Sequence, residues 1–280
     1  MLAFYKPHIN FIMNHAVDPD KRRSLVKNEA SHHYIDIDHY GKYPFEELPK
    51  KWEDALNKYS LDTLLKYGIL PWHIQIMLTR LTKAFRDKDP IKILKNSADI
   101  GHYIADAHVP LHTNSNHNGQ LTNQTGIHAF WESRIPELLA EEKFDFFIGK
   151  AEYIKSPAQF IWSRILESAA EADSVLSLER QLSLTFAPDK KYAFEQRKKI
   201  VIKQYSATYT KAYDKILNGM VERRMKQSIF CIASFWFTAW VNAGQPNLAA
   251  LSKINISTAD FDKLELLNTG WKKIKVRAHE

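Results

Sequence analysis

The chain has 280 residues, 45% of them hydrophobic and 25% charged, with a formal net charge of +7. That length buries a core without covalent staples, and the composition excludes a disordered or collagen-like chain. One cysteine, Cys231, excludes an intrachain disulfide and a thiolate-built zinc site, and nine glycines without G-x-G-x-x-G or G-x-x-x-x-G-K-[ST] exclude the dinucleotide and P-loop fingerprints.

The N-terminus, Met1-Leu-Ala-Phe-Tyr-Lys-Pro7, shows no signal-peptide pattern. Two polar stretches follow, His15 to Arg23 and Ser31 to His39, the second acidic and rich in histidine. Ser60 is placed to cap a helix carrying Leu61, Leu64 and Leu65; beyond Gly68 the pattern resumes over Ile74–Phe85, and Pro71 is expected to break or kink it. Asp89-Pro90 is a cap followed by proline in the first turn; it opens a helix with Ile91, Leu94, Ala98 and Ala105 on one stripe, stopped by Pro110. Residues 113–127 read as a polar loop, and a further helix carries His128. Ser156-Pro157 opens another helix, reaching about Leu178, and a long helical region is expected from about Lys190 to Val241, broken or bent near Gly219. The longest apolar run, Ile229 to Val241, is shorter than the roughly 20 residues of a membrane span and reads as a core helix. Strand-like alternation is scarce, so the expected fold is all-α: one multi-helix domain over residues 1–245, then an uncertain, basic tail over 246–280.

Five of the twelve histidines crowd into residues 102–128. His102 and Asp106 stand four apart, on one helix face, and that face belongs to the apolar stripe. Burying an imidazole and a carboxylate together is costly unless something satisfies both, and a metal ion does so. His112 follows the helix-ending proline, and His128 and Glu132 repeat the four-residue spacing. These are ligand types that zinc takes. The competing reading of any one pair is a core histidine bonded to a neighbouring carboxylate. His108 and His117 are further candidates, although His108 points elsewhere on its helix and His117 sits mid-loop. A di-iron carboxylate bundle needs two Glu-x-x-His motifs, and only Glu29-Ala-Ser-His32 fits.

The ordered set His33-Tyr-Ile-Asp36, His102-x-x-x-Asp106, Pro110-Leu-His112 and His128-x-x-x-Glu132 resembles the zinc-dependent phospholipase C and S1/P1 nuclease superfamily. Asp18 stands fifteen residues before His33, where that family places its first aspartate ligand. The motifs span residues 10–135, and helical character extends the resemblance to about residue 245. It implies a helical domain of that type with up to three zinc ions. One zinc would take Asp18, His33, His102 and Asp106; a second would take His112, His128 and Glu132. The third, held in the family by an N-terminal tryptophan, a histidine and an aspartate matched here by Asp106, would be incomplete, since residue 1 is Met1 and neither His8 nor His15 stands in a matching context. Because relatives are usually exported, the resemblance also implies a periplasmic or secreted protein, with Met1 an internal start and weak activity from the chain as written.

The implied activity is zinc-dependent phosphodiester hydrolysis, on a phospholipid head group or a nucleic acid, with Asp18 able to accept a proton while ligating. Tyr34, Tyr40, Trp72, Phe130 and Trp131 are candidate base-stacking or lipid-rim aromatics, and Arg197-Lys-Lys199 and Arg223-Arg-Met-Lys226 candidate phosphate-backbone tracks, each otherwise core packing or a solvated helix face. No obligate protein partner is visible. The alternative is a catalytically inactive, zinc-stabilised binding protein of the same fold.

Overall fold

A computed structural model describes residues 1–251; most of the expected tail, 252–280, lies outside the described residues. The architecture is mostly helical, with one two-stranded sheet among the described residues. Short helical pieces run through the first forty residues, including Ile9–His15, Asp18–Arg22 and the 3-10 turns Ala30–His32 and Ile37–Tyr40. The main helices are Leu70–Arg86, Pro90–Asp106, Pro157–Thr185, Ala207–Ile216 and Met220–Asn242. None of the described helices is long and apolar enough to cross a membrane.

Local signals explain the starts. Ser60 accepts a hydrogen bond from the Thr63 amide at 3.2 Å, and Asp89 does the same for Lys92 at 3.0 Å, each satisfying an otherwise unpaired amide of a first turn. Pro71 neither breaks nor kinks the Leu70–Arg86 helix: it lies in the first turn, where a proline's missing N–H costs nothing. The next helix ends at Asp106, one turn before Pro110, which opens a 3-10 turn instead.

The larger correction falls on residues 190–219. The expected continuous helix is a hairpin, β1 (Tyr192–Arg197) and β2 (Ile200–Tyr205), paired antiparallel with Tyr192 opposite Tyr205, followed by Ala207–Ile216 and, after Gly219, Met220–Asn242. Lys198 turns the hairpin at φ 53°. The lysine-rich approach masked the β-branched run Ile200-Val-Ile202, the one local strand signal.

Two hydrophobic clusters flank the histidine-bearing segments. The larger packs Ile35, Leu70, Ile74, Phe85, Leu94, Ile104, Ile165 and Phe235 around the Leu70–Arg86 and Pro90–Asp106 helices. The smaller packs Leu111, Ile127, Phe130, Ile135, Val175, Tyr209 and Val221. Each fully buried aliphatic or phenyl side chain contributes about 1.5–3 kcal/mol, so truncating Phe85, with no exposed surface, is the kind of change that opens the larger cluster.

The irregular segment His33–Asp36, whose Ile35 belongs to the larger cluster, is tied at its backbone. The Ile35 amide donates to the His112 carbonyl at 2.9 Å, Asp36 to Tyr67 at 2.7 Å, and Leu70 to the Tyr34 carbonyl at 3.2 Å. Gly68 makes this approach possible: at φ +86° a Cβ there would lie 2.1 Å from the Tyr34 carbonyl oxygen.

Candidate metal centre

Two ligand groups form around the end of the Pro90–Asp106 helix: Asp20, His33 and His102, and His112, His128 and Glu132, with the ligand atoms of each within 4.8 Å of one another. In the first, His33 Nδ1 lies 3.0 Å from Asp106 Oδ2, 3.1 Å from His102 Nε2 and 3.7 Å from Asp20 Oδ1. His102 Nε2 lies 3.4 Å from Asp106 Oδ2 and 3.6 Å from Asp20 Oδ1. A tetrahedral ion with ~2.1 Å bonds to nitrogen and oxygen has ligand-to-ligand edges of about 3.4 Å. His33 and His102 thus stand at about that distance from each other and from one oxygen each of Asp20 and Asp106.

In the second group, Glu132 Oε2 lies 2.9 Å from His128 Nε2 and 3.4 Å from His112 Nε2. The outer nitrogens fix both rings. His112 Nδ1 donates to the His33 carbonyl at 2.5 Å, and His128 Nδ1 to the His117 carbonyl at 3.3 Å. Carbonyls only accept, so both protons sit on Nδ1 of the neutral rings and both Nε2 lone pairs face the Glu132 carboxylate. Lone pairs against a carboxylate repel unless a cation lies between them, either an added proton or a metal ion. Without metal the proton takes the place: burial would lower the His112 pKa, but Asp106 and Glu132 push it up to about 9. Burial would likewise raise Glu132, yet its bonds to His112 and His128 hold it well below the ordinary carboxylate range. His102 follows the same pattern, its pKa raised against burial by Asp20 and Asp106.

Asp106 joins the groups. Its Oδ2 faces His33 and His102, while Oδ1 faces His112 at 3.8 Å. The residues present thus fit metal ions, with one carboxylate oxygen toward each group.

The structure brings together six of the seven sequence-derived ligands: His33, His102, Asp106, His112, His128 and Glu132. Asp18 is turned away; its carboxylate bonds His15 Nδ1 at 2.6 Å and Lys21 at 2.8 Å, and Asp20 occupies the cluster instead. Residues two apart on a helical turn point about 200° apart, so only one of the pair can face the histidines. His15 and Lys21, at i−3 and i+3, keep the Asp18 carboxylate engaged. Asp20 therefore stands where Asp18 was expected, half-exposed and lowered in pKa chiefly by its bond to His102.

His108 is buried, donates from Nδ1 to the Ile104 carbonyl at 2.7 Å, and joins neither group; His117 packs edge-on to His128 at 6.3 Å between ring centres. Glu132 sits on a π-helical turn, Phe130–Arg134, a distortion frequent at functional sites.

Beside the second group lies a cavity of about 190 Å³ lined by Arg23, Tyr34, Asp36, His112, His117 and His128. Burial and the nearby Asp38 push the Asp36 carboxyl up to about 7. Of the five candidate aromatics only Tyr34 reaches this cavity; Tyr40, Trp72, Phe130 and Trp131 are buried in the protein. The basic stretches are held by ion pairs, Arg197 with Glu137, Arg223 with Glu171, Arg224 with Glu167 and Lys226 with Asp145. No family model, curated protein or solved structure matches the chain.

Proposed function

We propose that the chain is a zinc-dependent phosphodiester hydrolase, acting on a phospholipid head group or a nucleic acid through a polynuclear site of the phospholipase C and S1/P1 nuclease type. The observation that carries this reading is Asp106, one carboxylate with an oxygen toward each of two histidine-rich groups. Asp20, His33, His102 and Asp106 would hold one ion; His112, His128 and Glu132 would hold a second. Zinc at such a pair supplies Lewis acidity, screening the charge of a phosphodiester and acidifying water.

The chain's own residues do the rest. The His33 and His117 carbonyls fix the His112 and His128 rings, so the site is organised before substrate arrives. Asp20, exposed at the rim, is positioned to take up a proton beside His102. The cavity walled by Arg23, Tyr34 and Asp36 adjoins the second group, where Arg23 would meet a phosphate oxygen and Tyr34 or Asp36 a substituent.

The test is hydrolysis of bis(p-nitrophenyl) phosphate with added zinc. Expected is turnover, however slow, that chelation abolishes and Asp106→Asn removes. Zinc bound stoichiometrically with no hydrolysis would contradict the enzyme reading and leave a zinc-stabilised binding protein.

A further inference from the structure

The hairpin of β1 and β2 has one face fastened and one left open. Strand alternation puts Glu195 and Arg197 on one face, where Arg134 and Glu137 hold them. Phe194 and Gln196 lie on the other face, opposite Lys203 and Val201. That face is packed at its base, where buried Tyr205 stacks on Phe130 at 3.7 Å between ring centres. Toward the turn it runs into solvent: Phe194 is 76% exposed and Val201 66%, and Ile200, beside the turn, is 63% exposed. Residues 196–201 are exposed without a break, so the tip stands clear of the protein.

A two-stranded ribbon is marginal unless its apolar side chains are covered, and grouped apolar side chains in water mark an interaction surface. Protection of a bare strand edge explains lysines here, but not Phe194, Ile200 and Val201. The charges indicate the cover. The hairpin's one carboxylate, Glu195, is taken by Arg134, and Lys191 and Arg197 are taken by Glu179 and Glu137. Lys198, Lys199 and Lys203 form no ion pair among the described residues. Three apolar side chains are thus set among three unpaired ammonium groups on a projecting tip. Such a tip suits a lipid interface, where apolar groups enter the acyl boundary and lysines meet phosphates. A second copy would bring like charges together. A nucleic acid strand would use Phe194 and the lysines but leave Ile200 and Val201 in water.

We propose that the hairpin tip docks on an anionic lipid surface, with Phe194, Ile200 and Val201 inserted and Lys198, Lys199 and Lys203 against the head groups. Docking does not depend on metal at the histidine groups.

The full 280-residue chain, in chelator, is sedimented with vesicles of phosphatidylcholine containing roughly one-third phosphatidylglycerol, and with vesicles of phosphatidylcholine alone. Expected is binding to the mixed vesicles that is about tenfold tighter or more, and that weakens as salt rises. Phe194→Ser combined with Val201→Ser, and separately Lys198→Glu combined with Lys199→Glu, should each weaken it by about tenfold or more. These positions are exposed, so both variants should keep the circular dichroism spectrum of the unaltered chain. Cys231 is buried, so a polarity-sensitive dye on Ile200→Cys reports the tip and should brighten on mixed vesicles. Four results would each overturn the proposal: no preference for the mixed vesicles, either double variant binding as well as the unaltered chain, a dye that stays dim on bound vesicles, or a single-stranded oligonucleotide bound more tightly than the mixed vesicles.

Discussion

The Pro90–Asp106 helix carries two buried polar clusters on successive turns, and they are closed in different ways. Around Asp99 and Tyr103 the chain supplies its own cations. Arg22 lies 3.2 Å from Asp99 and 3.4 Å from Glu29, Lys95 reaches Asp99 at 2.7 Å, and the Tyr103 hydroxyl donates to Glu29 at 2.5 Å. Burial works to raise the Glu29 carboxyl, but hydrogen bonds from His32 and Tyr103 and the Arg22 charge hold it down to about 2. One turn on, around Asp106, the ion pairs that Asp20, Asp106 and Glu132 make among the described residues are all to imidazoles, and His33 Nε2 is buried without a partner. Buried carboxylates need a counter-charge. The first cluster has it in the sequence, whereas the second requires protons or metal. Residue types that titrate and ligate, packed where permanent cations are absent, distinguish a site from a structural ion pair.

The sharpest way to break that contrast is to neutralise one carboxylate in each cluster. Asp99→Asn should cost about 3 kcal/mol of stability, because it leaves buried cations short of a partner, with zinc retention unchanged. Asp106→Asn should lose zinc from both groups, and in chelator should lose only the pH-dependent stability that Asp106 lends through His112. Denaturant unfolding in chelator, read beside metal analysis after dialysis, separates the two. Loss of zinc in Asp99→Asn alone would invert the assignment.

A second contrast is in pH. His112 is raised from 6.5 to about 9 in the folded, metal-free protein, so it adds stability that is full below about pH 6.5 and is lost as pH rises through about 9. The ceiling of that contribution is about 3 kcal/mol. In chelator the melting temperature should therefore fall between pH 6 and 9.5, and His112→Gln should flatten the fall. With zinc the trend should reverse, because the ion needs the deprotonated ring. A wild-type slope identical to that of His112→Gln would remove the proton from this account.

A smaller effect sharpens the geometry inside the first group. Asp20→Asn should weaken zinc binding by about ten- to a hundredfold, and Asp18→Asn by much less. Competition with a colorimetric chelator orders them, and the opposite order would restore Asp18 to the cluster. Smallest of all, His117→Ala should keep both zinc content and stability, the latter within about 0.5 kcal/mol.

The helical class and five of the candidate ligands, His102, Asp106, His112, His128 and Glu132, were legible because both depend on short-range spacing, whereas His33 came only from the family resemblance. Four-residue pairs on a helix face and the proline-ended turn before His112 are local facts, and local facts survive folding. The choice of Asp20 over Asp18 was not, since it hangs on which way one turn faces a helix some eighty residues later. The hairpin at 192–205 escaped for a related reason: strand pairing is non-local, and its edge is lined with lysines that read as a solvated helix face. The Arg22, Glu29 and Asp99 cluster is likewise invisible along the chain, its members 7 to 77 residues apart. Which of two buried polar clusters is closed by lysine and arginine, and which by imidazoles alone, is a property of the folded molecule.

The central claim, that the Asp106 cluster is completed by metal, is met most directly by zinc stoichiometry. The full chain, loaded with zinc and dialysed, should carry at least two ions by plasma mass spectrometry, with Asp106→Asn retaining fewer than one. Wild-type protein that holds no zinc above a chelator-treated control would contradict the claim.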